Sequence, residues 1–452
     1  MKFLVKDRGF YKTLLAMALP IALQNLISFG ASMTDTIMVG TLGDTTLSAA
    51  YLANQPFFLI MILVFGLSSG GSVLIAQYWG RQNTEAVRRI MGMSMRFVMV
   101  AVVLFSGVCL LCPTWVMSLF SSETAVVEQA AQYLRIVAIS YIPFGITSCY
   151  LYSLRAVENV KLSAVINGVS FVIDTACSYV FIFGKLGFAK QGIAGAALGT
   201  AIGRFVELTI VLFYILKIEK KIKFSFKHVF RRERELLPDY IRHSTPVVGS
   251  ELGWSLAIVT QAAIIGNLGQ TFTAAYSIVS VLQQLAMVAL LGVGNAAAVL
   301  VGKAVGAGKI EESKNMSKTL LVISFGVGLV SCGTILALRN VFTGIYNVSP
   351  ETRELAVQLM GLMAVMILFM AVEAVSFIGI LRGAGDTKYC MILDIACSWL
   401  VGVPMGYLAG YVWRLPIFLV YICLRSDIPL RMAGAVLRIF KGDYAKNLTR
   451  DL

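Results

Sequence analysis

Charge is what this sequence has least of. Only 14% of its 452 residues are Asp, Glu, Lys or Arg, while 58% are hydrophobic and the mean hydropathy is +0.80. An ordinary soluble domain carries roughly 25% charged residues, and no water-soluble fold of this length could hide so much apolar surface. Histidine is almost missing: only His228 and His243 occur, in or beside a basic stretch. The eight cysteines sit within or at the ends of apolar runs without paired loop spacing, which excludes a disulfide framework or a zinc site. No HExxH and no aspartate-rich prenyl-transfer pattern occurs. GAGD at Gly383 to Asp386 resembles an intramembrane aspartyl protease motif, but its counterpart in the first half of the chain has no such acid pair. GKAVGAGK at Gly302 to Lys309 misses the phosphate-loop spacing by one position and has Ile310 where a hydroxyl is required. With no catalytic constellation, the chain is not expected to be an enzyme, and it needs no cofactor.

The apolar residues come in runs near 20 residues, such as Phe57 to Ala76 and Leu355 to Leu381. Each is long enough to cross a hydrocarbon core about 30 Å thick. The first, Leu14 to Met33, contains Pro20, Gln24 and Asn25 and lacks a small-residue cleavage site, so it reads as an uncleaved span and not as a secretory signal. Lys and Arg, which give the net charge of +14, collect in alternate loops: the N-terminus, around Arg88 and Arg89, around Arg155 and Lys161, from Lys217 to Arg234, around Lys303 to Lys314, at Arg382 and Lys388, and the tail, while the intervening loops carry only scattered bases such as Lys185 and Lys190. That alternation points to a membrane and away from nucleic acid. By the positive-inside rule both termini face the cytoplasm, which requires an even number of spans, about twelve. The expected class is an all-α, multi-pass protein of the cell membrane.

An internal repeat divides the chain. Pro20 in AMALPIALQNL and Pro246 in RHSTPVVGSEL are 226 residues apart, and the same offset relates Gly40 to Gly266, Gly66 to Gly292 and Gly80 to Gly306. The register then slips by one, so that Arg155 in LRAVENVK meets Arg382 in LRGAGDTK. Two halves of even span number share one orientation, which implies a pseudo-two-fold axis along the membrane normal. The expected organisation is a six-helix lobe over 1–222, a cytoplasmic basic linker over 223–234 and a second six-helix lobe over 235–452.

Acids inside spans carry the candidate chemistry, because an ionised carboxylate at bilayer depth is costly unless it faces a cavity, a cation or a proton. Asp35 lies near the end of the first span, Asp174 in the fifth, Glu251 at the start of the seventh and Glu373 in the middle of the tenth. Asp394 and Asp427 fall in the eleventh and twelfth. Glu207 stands at helical spacing from Arg204 and reads as its ion-pair partner.

These residues resemble the multidrug and toxic compound extrusion (MATE) family along essentially the whole chain. The likeness is carried by MTDTIMVGTLG in the first span, AQYWGRQN at Ala76 to Asn83, YVFIFG followed by GIAGAALGT, the paired loops LRAVENVK and LRGAGDTK, and the ending LRIFKGDYAKNLT. The resemblance implies two six-helix bundles around a central cavity. It also implies export of organic cations or amphiphilic small molecules in exchange for protons or sodium ions, by a monomer in the lipid bilayer. The first-span acid of the family falls on Asp35, with sodium a candidate ion at Asp35 and Asp174. The family's fifth-span Asn-x-x-x-Asp pair falls on Asp174 and Ser178, a departure that moves the carboxylate by one helical turn. Thr200 matches a sixth-span hydroxyl, Glu251 is similar to a seventh-span acid, and Glu373 lies two positions from where a tenth-span acid stands. Met33, Phe57, Tyr141, Tyr276 and Met287 are expected to line the substrate cavity, where soft and aromatic side chains suit varied ligands. The alternative is a lipid-linked oligosaccharide flippase of the same superfamily, for which a cavity lined with bases is expected.

Overall fold

A computed structural model describes residues 4–450 except 122, 232, 347 and 443, and omits the side chain of Asp44. The described residues are almost all helical and contain no strand. Long helices run from α1 (Arg8–Gly40), α2 (Thr45–Gly80), α3 (Thr84–Leu111), α4 (Thr124–Ala156) and α5 (Lys161–Phe183) to α6 (Ile193–Phe213). After the linker come α7 (Leu237–Asn267), α8 (Gln270–Gly306), α9 (Ile310–Gly344), α10 (Pro350–Arg382) and α11 (Thr387–Val412). The chain closes with a short helix, Ile417–Leu424, and α12 (Asp427–Lys441). Among the described residues, all of these but α6 and the α12 region, ten in number, are long and apolar enough to cross a bilayer. The two exceptions occupy corresponding places at the ends of the halves, and both carry buried or half-buried charges. The 33 residues of α1 make a helix about 50 Å long, well beyond the hydrocarbon core.

Local chemistry fixes several boundaries. The Asn83 side chain accepts from the Ala86 N–H at 3.0 Å to start α3, and Ser349 accepts from Thr352 N–H at 3.2 Å ahead of Pro350 at the start of α10. Gly184, left-handed at φ 67°, ends α5.

The chain divides into two compact units. One holds Leu23–Ile75 and Asn83–Val248, and is termed the N-unit; the other holds Met1–Ala22, Ala76–Gln82 and Gly249–Leu452, and is termed the C-unit. The cuts in α1 and α7 fall at Ala22 and Val248, positions related by the repeat offset of 226. Each unit therefore contains the opening stretch of the other half's first helix. In the C-unit, a Cβ at Gly292 of α8 would stand 2.8 Å from Ala18 O and 3.1 Å from Ala22 Cβ. In the N-unit, a Cβ at the repeat-related Gly66 of α2 would stand 3.0 Å from Val248 Cα. The same glycine thus admits the same helix in both units by leaving no room for a side chain.

Within the N-unit the basic linker is held down rather than free. Arg88 Nε donates to Ile222 O at 2.6 Å and Arg96 Nε to Val229 O at 2.6 Å, while Arg89 forms an ion pair with the buried Glu233 at 2.5 Å. Glu219 accepts from the Ile222 and Phe224 N–H groups.

Within the C-unit, the tail after α12 is laced to its neighbours. Lys446 Nζ lies 2.5 Å from Asp386 Oδ1 and its N–H donates to Ala384 O at 2.9 Å. Gln77 donates to Lys446 O and accepts from the Leu448 N–H, and Tyr444 donates to Ser317 at 2.9 Å. Asp386, the acid of the GAGD motif, is 1% exposed and is held by Arg438 and Lys446. It is a structural anchor for loop and tail.

Candidate coupling sites

The N-unit site is built on a close approach of α5 and α6. Gly195, Gly199 and Gly203 repeat every fourth residue on α6. A Cβ at Gly195 would fall 2.5 Å from the Phe181 backbone, and one at Gly203 would fall 3.0 Å from Asp174 Cβ. Only a strip without side chains lets the α6 backbone lie directly against the Asp174 turn of α5. Ser178, one turn on and fully buried, donates to Asp174 Oδ1 at 3.3 Å. Asp35 arrives from α1, near enough for the Asp174 charge to act on it. Thr200 lies beside both Asp174 and the buried Tyr133 of α4, whose hydroxyl also neighbours Asn54.

A guanidinium completes this site. Arg204 Nη1 lies 3.1 Å from Glu207 Oε2, and its Cζ stands 4.9 Å and 5.5 Å from the ring centroids of Phe144 and Phe57. Its charge acts on both Asp35 and Asp174. The site thus draws a carboxylate from each of two helices, a third from α6, one cation and several hydroxyls into a partly open, weakly screened region. An arrangement of that kind can exchange protons or a small cation at bilayer depth.

The C-unit concentrates charge more tightly. Arg431 of α12, 5% exposed, is shared among three carboxylates: Asp394 Oδ1 at 2.5 Å, Asp427 Oδ2 at 3.0 Å and Glu373 Oε1 at 3.5 Å. Ser250 donates to the other Asp394 oxygen at 2.5 Å. Next to this cluster, Glu251 Oε1 lies 2.9 Å from Arg382 Nη1.

Asp35, Asp174, Ser178 and Thr200 are therefore brought together. Glu251 and Glu373 share a unit, but each is bound to its own arginine. Of the expected cavity residues, Met33 is 42% exposed on α1, whereas Tyr141 is fully buried with its ring 5.8 Å from that of Phe57. Tyr276 accepts from Arg425 at 2.7 Å, and Met287 is half-buried on α8. Sequence reasoning counted Asp394 and Asp427 among the acids inside spans without assigning them a partner, gave no role to Arg431 or Tyr133, and gave Arg204 only its pairing with Glu207. One signal was available: Arg431 stands 227 residues after Arg204, the slipped repeat offset.

Comparison with known proteins agrees with this architecture. The family model described as MatE matches residues 20–180 and again 246–408, two copies that begin at the repeat-related prolines. The chain belongs to the MatE family of membrane transporters. It is 25% identical over 459 residues to a probable multidrug resistance protein NorM of Thermotoga maritima, covering 97% of this chain and 95% of that one. A NorM of Mesorhizobium japonicum is 28% identical over 412 residues, covering 88% and 86%. Among solved structures, a MATE transporter in complex with MaL6 superposes with a TM-score of 0.86 at 19% identity, covering 95% of each chain. An outward-facing multidrug resistance MATE transporter of the MOP superfamily superposes with a TM-score of 0.84 at 20% identity, covering 95% and 94%. These superpositions bear out the all-α, two-times-six fold class.

Proposed function

We propose that this chain is a secondary active antiporter that exports organic cations or amphiphilic small molecules in exchange for protons or sodium ions. The observation that carries the reading is the meeting of Asp35 and Asp174 from α1 and α5 beside Thr200 and Arg204. Two carboxylates close together in a poorly screened interior repel, and uptake of a proton or cation relieves that repulsion. Occupancy then changes the relative energy of inward- and outward-open states, and a cationic substrate competes for the same negative charge. Soft and aromatic side chains such as Met33 and Phe57 near this charge suit substrates of varied shape. Family membership and the NorM names of its relatives support the multidrug assignment. Both termini and the basic loops are placed on the cytoplasmic side by the distribution of Lys and Arg, and the lobes follow the repeat, 1–222 and 235–452. We take the chain to act as a monomer in the cell membrane.

The test is efflux of a fluorescent cationic dye from proteoliposomes under an imposed proton or sodium gradient. Gradient-driven efflux by the native chain that is lost in Asp35→Asn and Asp174→Asn supports the reading. Indifference to dyes under both gradients overturns it and redirects attention to lipid-linked substrates.

A further inference from the structure

Each half of the chain places an arginine near the start or middle of its sixth helix, and the two correspond. Arg204 and Arg431 are related by the offset of 227 that also relates Arg155 to Arg382, and Thr200 corresponds to Asp427 under the same offset. In the first-helix register of 226, Asp35 corresponds to Gln261. Gln261 and Asp427 in fact converge: a Cβ at Gly402 would stand 3.1 Å from Asp427 Cγ and 3.2 Å from Gln261 Nε2. The charged cluster of the C-unit is thus the repeat-related counterpart of the Asp35 site in the N-unit. Different residues supply the carboxylates in the two places, yet the guanidinium recurs.

A surplus of acid recurs too. Arg204 is ion-paired with Glu207 and its charge acts on Asp35 and Asp174, while Arg431 is ion-paired with Glu373, Asp394 and Asp427. With all groups ionised, one fixed cation against three carboxylates leaves the Arg204 site with an excess of two negative charges, and Arg425 reduces the excess at the Arg431 site to one. That excess is untenable in a weakly screened interior unless it is neutralised on binding. One oxygen of Asp427, Oδ1, has no partner among the described residues although the residue is 5% exposed. Tyr133 and Cys177 neighbour the Asp174 site; around the Arg431 site stand Cys397, the Arg382–Glu251 pair, which is neutral overall, and Arg425, which is hydrogen-bonded to the neutral Tyr276 and brings a second positive charge to bear on Asp427.

We propose that Arg204 and Arg431 are specificity-determining residues that reserve both sites for protons and exclude sodium. The inference rests on the antiporter reading and names its coupling ion. In the C-unit the Arg431 guanidinium already fills the place among three carboxylates where a metal cation would gather oxygen ligands, and in the N-unit Arg204, held by Glu207, sets the same tethered charge against Asp35 and Asp174. A sodium ion entering beside it meets a like charge at close range with little screening. A proton meets no such obstacle, because it becomes an O–H bond of a carboxylic acid and needs no coordination sphere. Protonating one carboxylate also leaves the guanidinium its remaining anionic partners, so the arginine can stay buried through the cycle. Glu207, at the short helical spacing, anchors Arg204 on one side and keeps it from leaving the site.

The experiment compares native protein with Arg204→Ala, Arg431→Ala and the conservative Arg204→Lys and Arg431→Lys in proteoliposomes. Dye efflux is measured under a pure pH gradient and a pure sodium gradient, and the thermal unfolding of detergent-purified protein is measured with sodium or with choline chloride. Native efflux should follow the pH gradient and ignore sodium, and native unfolding should not respond to sodium over choline. At least one alanine variant should gain sodium-specific thermal stabilisation or several-fold faster sodium-driven efflux, while the lysine variants, which keep the tethered charge, should not. Sodium-driven efflux or sodium-specific stabilisation of the native protein overturns the inference without recourse to any variant. Alanine variants that fold and remain blind to sodium in both assays also overturn it. Native efflux under neither gradient is a different failure, that of the antiporter reading itself.

Discussion

Arg382 and Glu251 form a 2.9 Å ion pair in which the arginine side chain is 4% exposed and the glutamate 15%. In the first half the corresponding arginine is kept and the acid is lost: Asn25 stands where Glu251 does, and Arg155 donates instead to the neighbouring Gln24 at 3.1 Å. One half of the chain thus carries a charged tie where the other carries a neutral one, and the two should fail differently. Arg382→Ala leaves Glu251 buried without its partner, which should cost about 3–5 kcal/mol of stability. Replacing both, as Arg382→Met with Glu251→Gln, should restore most of it. Thermal unfolding in detergent reads the difference, and a double variant no better than the single one would show that the pair is not what matters.

At the coupling site, Asp174→Asn keeps the shape of the side chain and the Ser178 contact while removing the charge. Ion-driven efflux should fall to background while expression and thermal stability remain close to native. Glu207→Gln should act on Arg204 instead: it loosens the anchor of the guanidinium and should lower the apparent affinity for cationic dye without abolishing transport. Initial efflux rates across a dye concentration series separate a change in KM from a loss of kcat.

The tail offers a third prediction. Asp386 is buried under Arg438 and Lys446, and Lys446 and Leu448 are tied to Gln77. Asp386→Ala removes the acid that neutralises both bases, and should release residues 444–450 to carboxypeptidase digestion several-fold faster than in native protein. Lys446→Ala should do so more weakly, since Arg438 still satisfies the aspartate. Unchanged digestion in both would mean that the backbone bonds to Ala384 and Gln77 suffice.

The paired glycines give the fourth. Gly66→Ala and Gly292→Ala each push a methyl group to about 3 Å from a neighbouring helix backbone, and overpacking of this kind costs typically about 1–3 kcal/mol. Gly326→Ala on α9, where nothing lies within 4 Å, should be neutral or mildly stabilising because alanine is the better helix former. Thermal unfolding of the three variants, ranked against native, is the measurement.

The class of fold was legible because membrane spans are written in composition and length alone, and the repeat because Pro20 and Pro246 and the glycines keep their spacing. The pairing of Asp35 with Asp174 was also within reach, since intramembrane acids are few and each invites a partner. Arg431 was not. Its three carboxylates come from α10, α11 and α12; the i,i+4 spacing announces only Asp427, and the contacts with Asp394 and Glu373 are created by tertiary packing. Arg204 was misjudged for the opposite reason: Glu207, three residues away, supplied a sufficient local explanation and hid the two aspartates. The exchange of helix openings between the units was equally hidden. Ala22 and Val248 are ordinary apolar residues, and only the glycines opposite them record the contact.

That exchange bears on how such a chain could be divided. A cut in the linker yields two fragments of six helices each, the apparent products of an ancestral duplication. Neither fragment contains a whole packing unit, because Gly66 and Gly292 would each face an empty groove shaped for the opening turns of a helix on the other piece. The halves are therefore obligate complements, and their separate expression should yield unstable fragments while their co-expression restores the protein.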